Sequence, residues 1–192
     1  ILASLGNYVY AAEGDTLYVN LYAEGHVTAH LDSVTAHLSQ ETEYPWDGRV
    51  RLTWQSSDTN AARLALRIPG WCRRFEVTLN GKSWNGPRLL NRGYLEIERA
   101  WTAGDAVTLD LAMPVERMYA RPEVRANAGR VALQRGPLVY ALESCDNGPN
   151  LDALMLPRDA ALAAHREPDL LGGVVIIEAD GLRATVEGGP GD

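Results

Sequence analysis

Apolar and polar residues alternate along most of this chain. In "DTLYVNLYAEG" (15–25), Leu17, Val19 and Leu21 fall on one face, and Tyr18, Asn20 and Tyr22 on the other. A period of two predicts a half-buried strand. "GRVRLTWQSS" repeats the pattern with Val50, Leu52 and Trp54, and "RLALRIP" with Leu64, Leu66 and Ile68. "FEVTLNGKSW" aligns Phe75, Val77 and Leu79 and then reaches Asn80-Gly81. Asn-Gly between extended runs predicts a tight hairpin, because both central residues of a type I′ turn need positive φ. "GYLEIERAW" and "DAVTLDLAM" follow, joined by a turn at Thr102 to Asp105. Short strands with turn signals every ~8–12 residues predict an all-β, antiparallel sandwich of jelly-roll type.

Two stretches depart from this pattern. "VTAHLDSVTAHL" repeats VTAHL, from Val27 and again from Val34. A heptad helix fits the spacing, but Val and Thr prefer strands and Asp32-Ser33 suits a turn, so the reading is a hairpin. At the start, Ile1 to Leu5 reads as a helical turn that Gly6 would stop. The opening looks like the end of a helix from an upstream domain, so the lack of a leader sequence says nothing about compartment.

Pro114 closes the first run of strands, and the polar stretch "ERMYARPEVRANAG" (116–129) suggests a domain boundary. The expected division is 1–10 as the end of an upstream helix, 11–118 as the sandwich, and 119–192 as a second, smaller or incomplete β domain. In that second part, "RVALQRGPLVYALE" predicts two strands about Gly136-Pro137, and "SCDNGPN" a loop. "PRDAALAAHREPD" is ambiguous, since its alanines favour helix while its prolines leave little room for one. "GGVVIIEADGLRATV" predicts two strands about Asp180-Gly181, and "EGGPGD" a frayed end.

Composition narrows the function classes. The 192 residues carry a formal net charge of -7 with scattered basic positions, which argues against nucleic acid or an anionic membrane as partner. No apolar run approaches the ~20 residues of a membrane-spanning helix. Two cysteines, Cys72 and Cys145, provide neither a disulfide framework nor a zinc-ribbon spacing.

Four groups of residues could carry chemistry. His26, His30 and His37, with Glu24 near, could ligate zinc, or could simply be polar positions on strands beside a turn. Glu96 and Glu98 share a strand face, and Glu41, Glu43 and Asp47 cluster about "EYPWDG"; glycoside hydrolysis uses such carboxyl pairs. Alternating glutamates are equally what the wet face of a strand looks like. Cys72 lies beside Arg73 and Arg74, which would favour a thiolate, but no histidine or helix start accompanies it, and a small apolar filler is the plainer reading. Trp46, Trp71, Trp84 and Trp101 sit near turns or strand ends. Tyr44, Trp46, Asp47 and Trp84 are candidate sugar contacts, against the alternative that the large aromatics plug the core.

The order "GDTLYVNLY", "ETEYPWDGRVRL", "LALRIPGWC", "VTLNGK", "GYLEIERAWTAGDAVTLDLAMPVE" and "GRVALQRGPLVYALE" resembles the C-terminal half of glycoside hydrolase family 127, the β-L-arabinofuranosidase-like family. The resemblance runs to about Gly181. It implies a parent enzyme with an (α/α)6-barrel catalytic domain followed by β-sandwich domains. It implies a zinc-bound cysteine nucleophile in a Cys-Cys-Pro-Pro-Asn segment and a glutamate acid/base, all upstream of this chain. By that resemblance Cys72 belongs to a structural turn, no catalytic, cofactor or metal-binding residue maps onto this chain, and zinc belongs to the missing domain. The implied partner is that barrel. An arabinose-containing glycan and a second copy in a homodimer are further candidates. The chain is then expected to be an accessory β part of a glycosidase, or alternatively a carbohydrate-binding module with a tryptophan platform.

Overall fold

The computed structural model describes residues 2–57, 60–87 and 89–184. The "EGGPGD" end lies outside these residues. The chain forms two compact units, Ile1–Met113 and Pro114–Asp192. The division falls at Pro114, ahead of the 118/119 boundary read from composition.

The first unit opens with a 3-10 helix, Leu2–Tyr8. It runs through Gly6 instead of stopping there. Ten strands follow: β1 (Tyr10–Glu13), β2 (Thr16–Val19), β3 (Gly25–His30), β4 (Thr35–Thr42), β5 (Arg49–Trp54), β6 (Ala61–Arg67), β7 (Phe75–Leu79), β8 (Lys82–Ser83), β9 (Tyr94–Ala100) and β10 (Ala106–Leu111). They make a four-stranded sheet ordered β1-β2-β6-β9 and a six-stranded sheet ordered β3-β4-β5-β10-β7-β8. Pairing is antiparallel except for β2 and β6, which run parallel, Leu17 beside Leu64. A parallel pair needs a long crossover. Here β3, β4 and β5 are that crossover, because they belong to the other sheet.

The predicted alternation is realised in burial. Leu17, Val19, Val50, Leu52, Trp54, Leu64, Leu66, Val77, Leu95, Ile97, Leu109 and Leu111 all face inward and are buried. Trp54 and Trp101 stack at the centre, ring centroids 5.3 Å apart, and Trp101 donates its indole N–H to the Ala62 carbonyl at 2.9 Å. The VTAHL repeat is the β3–β4 hairpin, Val27 opposite Leu38. Asn80 and Gly81 have φ of 51° and 74°, as the Asn-Gly turn between β7 and β8 requires. One face assignment fails: Tyr22 is buried in the core, because β2 ends at Val19 and the alternation lapses beyond it.

The turn at Thr102 to Asp105 exists, but β9 and β10 belong to different sheets, so it links layers and does not close a hairpin. Asp105 holds it together. Its carboxylate accepts from the Asn80 amide at 2.7 Å and the Thr102 N–H at 2.9 Å, and pairs with Arg99 at 3.3 Å. Burial alone would raise the Asp105 pKa; these donors and the Arg99 cation outweigh it and hold the carboxyl below its usual value.

Among its described residues the second unit contains seven short strands: β11 (Val115–Met118), β12 (Ala132–Arg135), β13 (Leu138–Tyr140), β14 (Leu154–Met155), β15 (Ala163–Glu167), β16 (Val174–Glu178) and β17 (Leu182–Arg183). They form one three-stranded sheet, β11-β12-β13, and two ribbons, β14-β17 and β15-β16. The two strands about Gly136-Pro137 pair as expected. Those flanking Asp180-Gly181 do not pair with each other; β16 takes β15 and β17 takes β14. The alanine-rich segment resolves as strand β15, since pairing with "VVIIE" outweighs helix propensity in so short a stretch. The "SCDNGPN" loop carries one helical turn, Ser144–Asn147. Among the described residues no helix is long and apolar enough to cross a membrane.

Candidate functional site

The two aromatic turn motifs of the sequence meet. Tyr44 of "YPWDG" and Trp71 and Cys72 of "IPGWC" pack against the core beside buried Tyr22. The Tyr22 and Tyr44 rings meet edge to face at 5.8 Å, and the Trp71 indole N–H bonds the Tyr44 hydroxyl. Tyr22 donates its hydroxyl to the Arg67 carbonyl. Burial raises the pKa of both phenols. The turn itself is closed by its own groups: Glu43 O accepts from the Trp46 and Asp47 N–H groups, and the Asp47 carboxylate accepts from the Arg49 N–H at 2.8 Å. Gly48 accepts the Leu111 N–H at 3.0 Å, and a side chain there would run into the Leu111 carbonyl.

The four candidate sugar contacts lie on two turns, Tyr44, Trp46 and Asp47 on one and Trp84 just after the β7–β8 hairpin. Tyr44 is taken up by the Tyr22–Trp71 cluster, and Asp47 by its turn. Trp46 is half-buried. Trp84 follows the hairpin at the far edge of the six-stranded sheet, hydrogen-bonded through its N–H to Val77 O. Its ring packs on the core and is covered by Gly86, which leaves no room for even a Cβ.

The histidine reading lacks a converging donor set among the described residues. His26, His30 and His37 share the outer face of β3 and β4, but they are not among the residues whose ligand atoms converge. Instead, Nδ1 of His37 is 2.9 Å from Thr28 Oγ1, and Nδ1 of His30 is 3.2 Å from Thr35 Oγ1. Glu143, Cys145 and Asp146 do converge, fully exposed on the Ser144–Asn147 turn. The Glu143 hydrogen bond raises the Cys145 pKa, so the thiol holds its proton. Burial likewise raises the Cys72 pKa, and its Sγ lies 3.2 Å from Arg74 O. A protonated thiol is a poor nucleophile.

Glu96 and Glu98 flank one cation. Arg63 on the neighbouring strand donates to Glu98 through Nε at 3.2 Å and pairs with Glu96 at 3.7 Å. Arg63 thus bridges the two carboxylates in an ion-pair arrangement on the outer face of the sheet. The same outer face of the four-stranded sheet holds Tyr18 and Tyr94, edge to face at 5.3 Å. Tyr94 donates to Asn20 Oδ1 at 2.7 Å, and Asn91 donates to Glu96 at 2.8 Å. Farther along, an open cleft of about 650 Å³ is lined by Glu13, Asp15, Thr16, Arg63 and Glu98 among others. Sequence reading put Tyr18 and Asn20 on the polar face but could not bring Tyr94 to them, because the order β2-β6-β9 is not sequential.

Comparison with known proteins follows the same division. Residues 16–113 match the family described as "Beta-L-arabinofuranosidase, GH127 middle domain", and residues 115–185 the "Glycoside hydrolase family 127 C-terminal domain". The chain is 35% identical over 196 residues to a non-reducing end β-L-arabinofuranosidase of Bifidobacterium longum subsp. longum, covering 95% of this chain and 28% of that protein. It superposes on a crystal structure of a GH127 β-L-arabinofuranosidase from Geobacillus stearothermophilus T6 with a TM-score of 0.89 and 53% identity, covering 95% of this chain and 29% of that one. A second solved structure, a GH127 β-arabinofuranosidase, gives 0.89 and 34% identity, with 95% and 31% covered. The chain thus spans less than a third of each of these relatives. With both units accounted for, the chain belongs to glycoside hydrolase family 127, as its middle and C-terminal domains.

Proposed function

We propose that this chain is the accessory β part of a β-L-arabinofuranosidase-like enzyme, supporting a separate catalytic domain and not hydrolysing glycosides alone. The observation that carries this reading is coverage. Two family domains, middle and C-terminal, account for the chain, while more than two thirds of each relative lies elsewhere. The chemistry agrees. The paired carboxylates share one arginine, and both thiols are held protonated. Zinc, the nucleophilic cysteine and the acid/base glutamate are accordingly assigned to the remaining part of the enzyme.

The second unit supplies contact surface in this reading. Val139, Leu142, Met155, Leu170 and Leu182 are exposed in the chain, and they are the apolar side chains this unit offers to such a contact. The test compares the chain alone with the full-length enzyme on an aryl β-L-arabinofuranoside. Turnover should come only from the full-length protein; appreciable turnover by residues 1–192 would refute the assignment. Light scattering of the full-length enzyme reads whether a homodimer forms.

A further inference from the structure

We propose that the outer face of the four-stranded sheet, centred on Tyr18 and Tyr94, is a binding site for a neutral saccharide. The outward positions of β2, β6 and β9 place Tyr18, Ala65 and Glu96 side by side across the sheet. Ala65 is fully buried although it points outward. The tyrosine pair makes a raised aromatic floor, half-exposed, with its edge-to-face geometry leaving ring area free. Saccharides bind through apolar C–H faces laid on aromatic rings while side-chain amides, carboxylates and guanidinium groups take the hydroxyls. Those partners surround the floor: Asn20 and Asn91 at one end, Glu96, Arg63 and Glu98 across it. All are pre-positioned by the bonds described above, so little side-chain freedom is lost on binding.

Charge selects the ligand class. Arg63 and Arg67 balance Glu96 and Glu98 on this face, while the adjoining cleft adds Glu13 and Asp15. A phosphate, a uronate or a nucleic acid would meet carboxylates with no net cation to offset them. A neutral polyhydroxyl ligand meets acceptors for its O–H groups. Three of the five tryptophans, by contrast, are committed elsewhere: Trp54 and Trp101 are buried in the core, and Trp84 is covered by Gly86.

The test uses the full-length protein and soluble arabinan as probe; that choice of glycan rests on the proposed function. In gel electrophoresis with arabinan in the matrix, the wild type should be retarded. Tyr18→Ala and Tyr94→Ala should weaken the retardation at least tenfold, and Tyr94→Phe, which keeps the ring and drops only the bond to Asn20, by a smaller factor. Turnover of a small aryl arabinofuranoside should be unchanged in all three variants, which reads the catalytic domain separately. Absence of wild-type retardation, or variants retarded like the wild type, would overturn the site. So would hydroxyl-radical footprinting in which Tyr18 and Tyr94 are shielded without glycan, because the face would then be covered by the rest of the enzyme. Loss of small-substrate activity in the wild type would instead refute the proposed function and leave the site to be judged by retardation.

Discussion

The two units solve the same problem with unequal means. In the first, two sheets turn their apolar faces toward each other, and the inward set from Leu17 to Leu111 is sealed. In the second, three small sheets of two or three strands leave Val175 as the only buried apolar side chain among the described residues. A two-stranded ribbon is marginal in water, because it cannot bury enough apolar area to offset the chain entropy it loses. The contrast teaches that domain matches in sequence do not imply equal autonomy. One unit carries a sealed apolar core; the other buries little of its apolar surface within itself.

The largest effect should come from separating them. Residues 10–113 expressed alone should unfold in one cooperative thermal transition, while 114–192 alone should show none; a sharp calorimetric peak from the second piece would abolish the contrast. Within the first unit, Trp101→Ala removes the stacking partner of Trp54 and the bond to Ala62, and should cost about 3–5 kcal/mol by denaturant titration. Gly48→Ala comes next. It forces a methyl group into the Leu111 carbonyl, and a loss of about 1–3 kcal/mol is expected.

Asp105 sharpens the comparison through pH. Its folded pKa is depressed, so its contribution is fully present above the ordinary aspartate value of about 4 and is lost as pH falls through the folded value. Asp105→Asn should flatten the acid side of the stability profile of the first unit, and should cost about 1–3 kcal/mol near neutrality. An unchanged acid limb would mean that the Asn80–Thr102–Arg99 arrangement contributes nothing. The smallest effect is expected in the second unit, where Val139→Ala on an exposed strand position should shift stability of the isolated chain by no more than about 0.5 kcal/mol. A larger loss would show that the exposed face is already in use.

Much of the architecture could be read locally. Val50, Leu52 and Trp54 announce their strand by alternation, and Asn80-Gly81 announces its turn by the positive φ both residues adopt. Cys72 reads as a filler from its neighbours alone, and in the structure it packs against the core. The alanine-rich β15 was not readable, because its strand state comes from pairing with β16 and not from its own propensity. Nor was the convergence of "YPWDG" with "IPGWC" readable, since Tyr44 and Trp71 meet only once two sheets are stacked.

Sequence alone therefore determined which residues extend, which turn, and which family the chain resembles, for these depend on each residue's own conformational limits and on its near neighbours. Tertiary structure alone decided that β2 lies parallel to β6, that the turn at Thr102 changes layers, and that Tyr18 meets Tyr94 across β6. Strand partners are chosen by burial and hydrogen bonding between segments distant in the chain, and no local pattern records that choice.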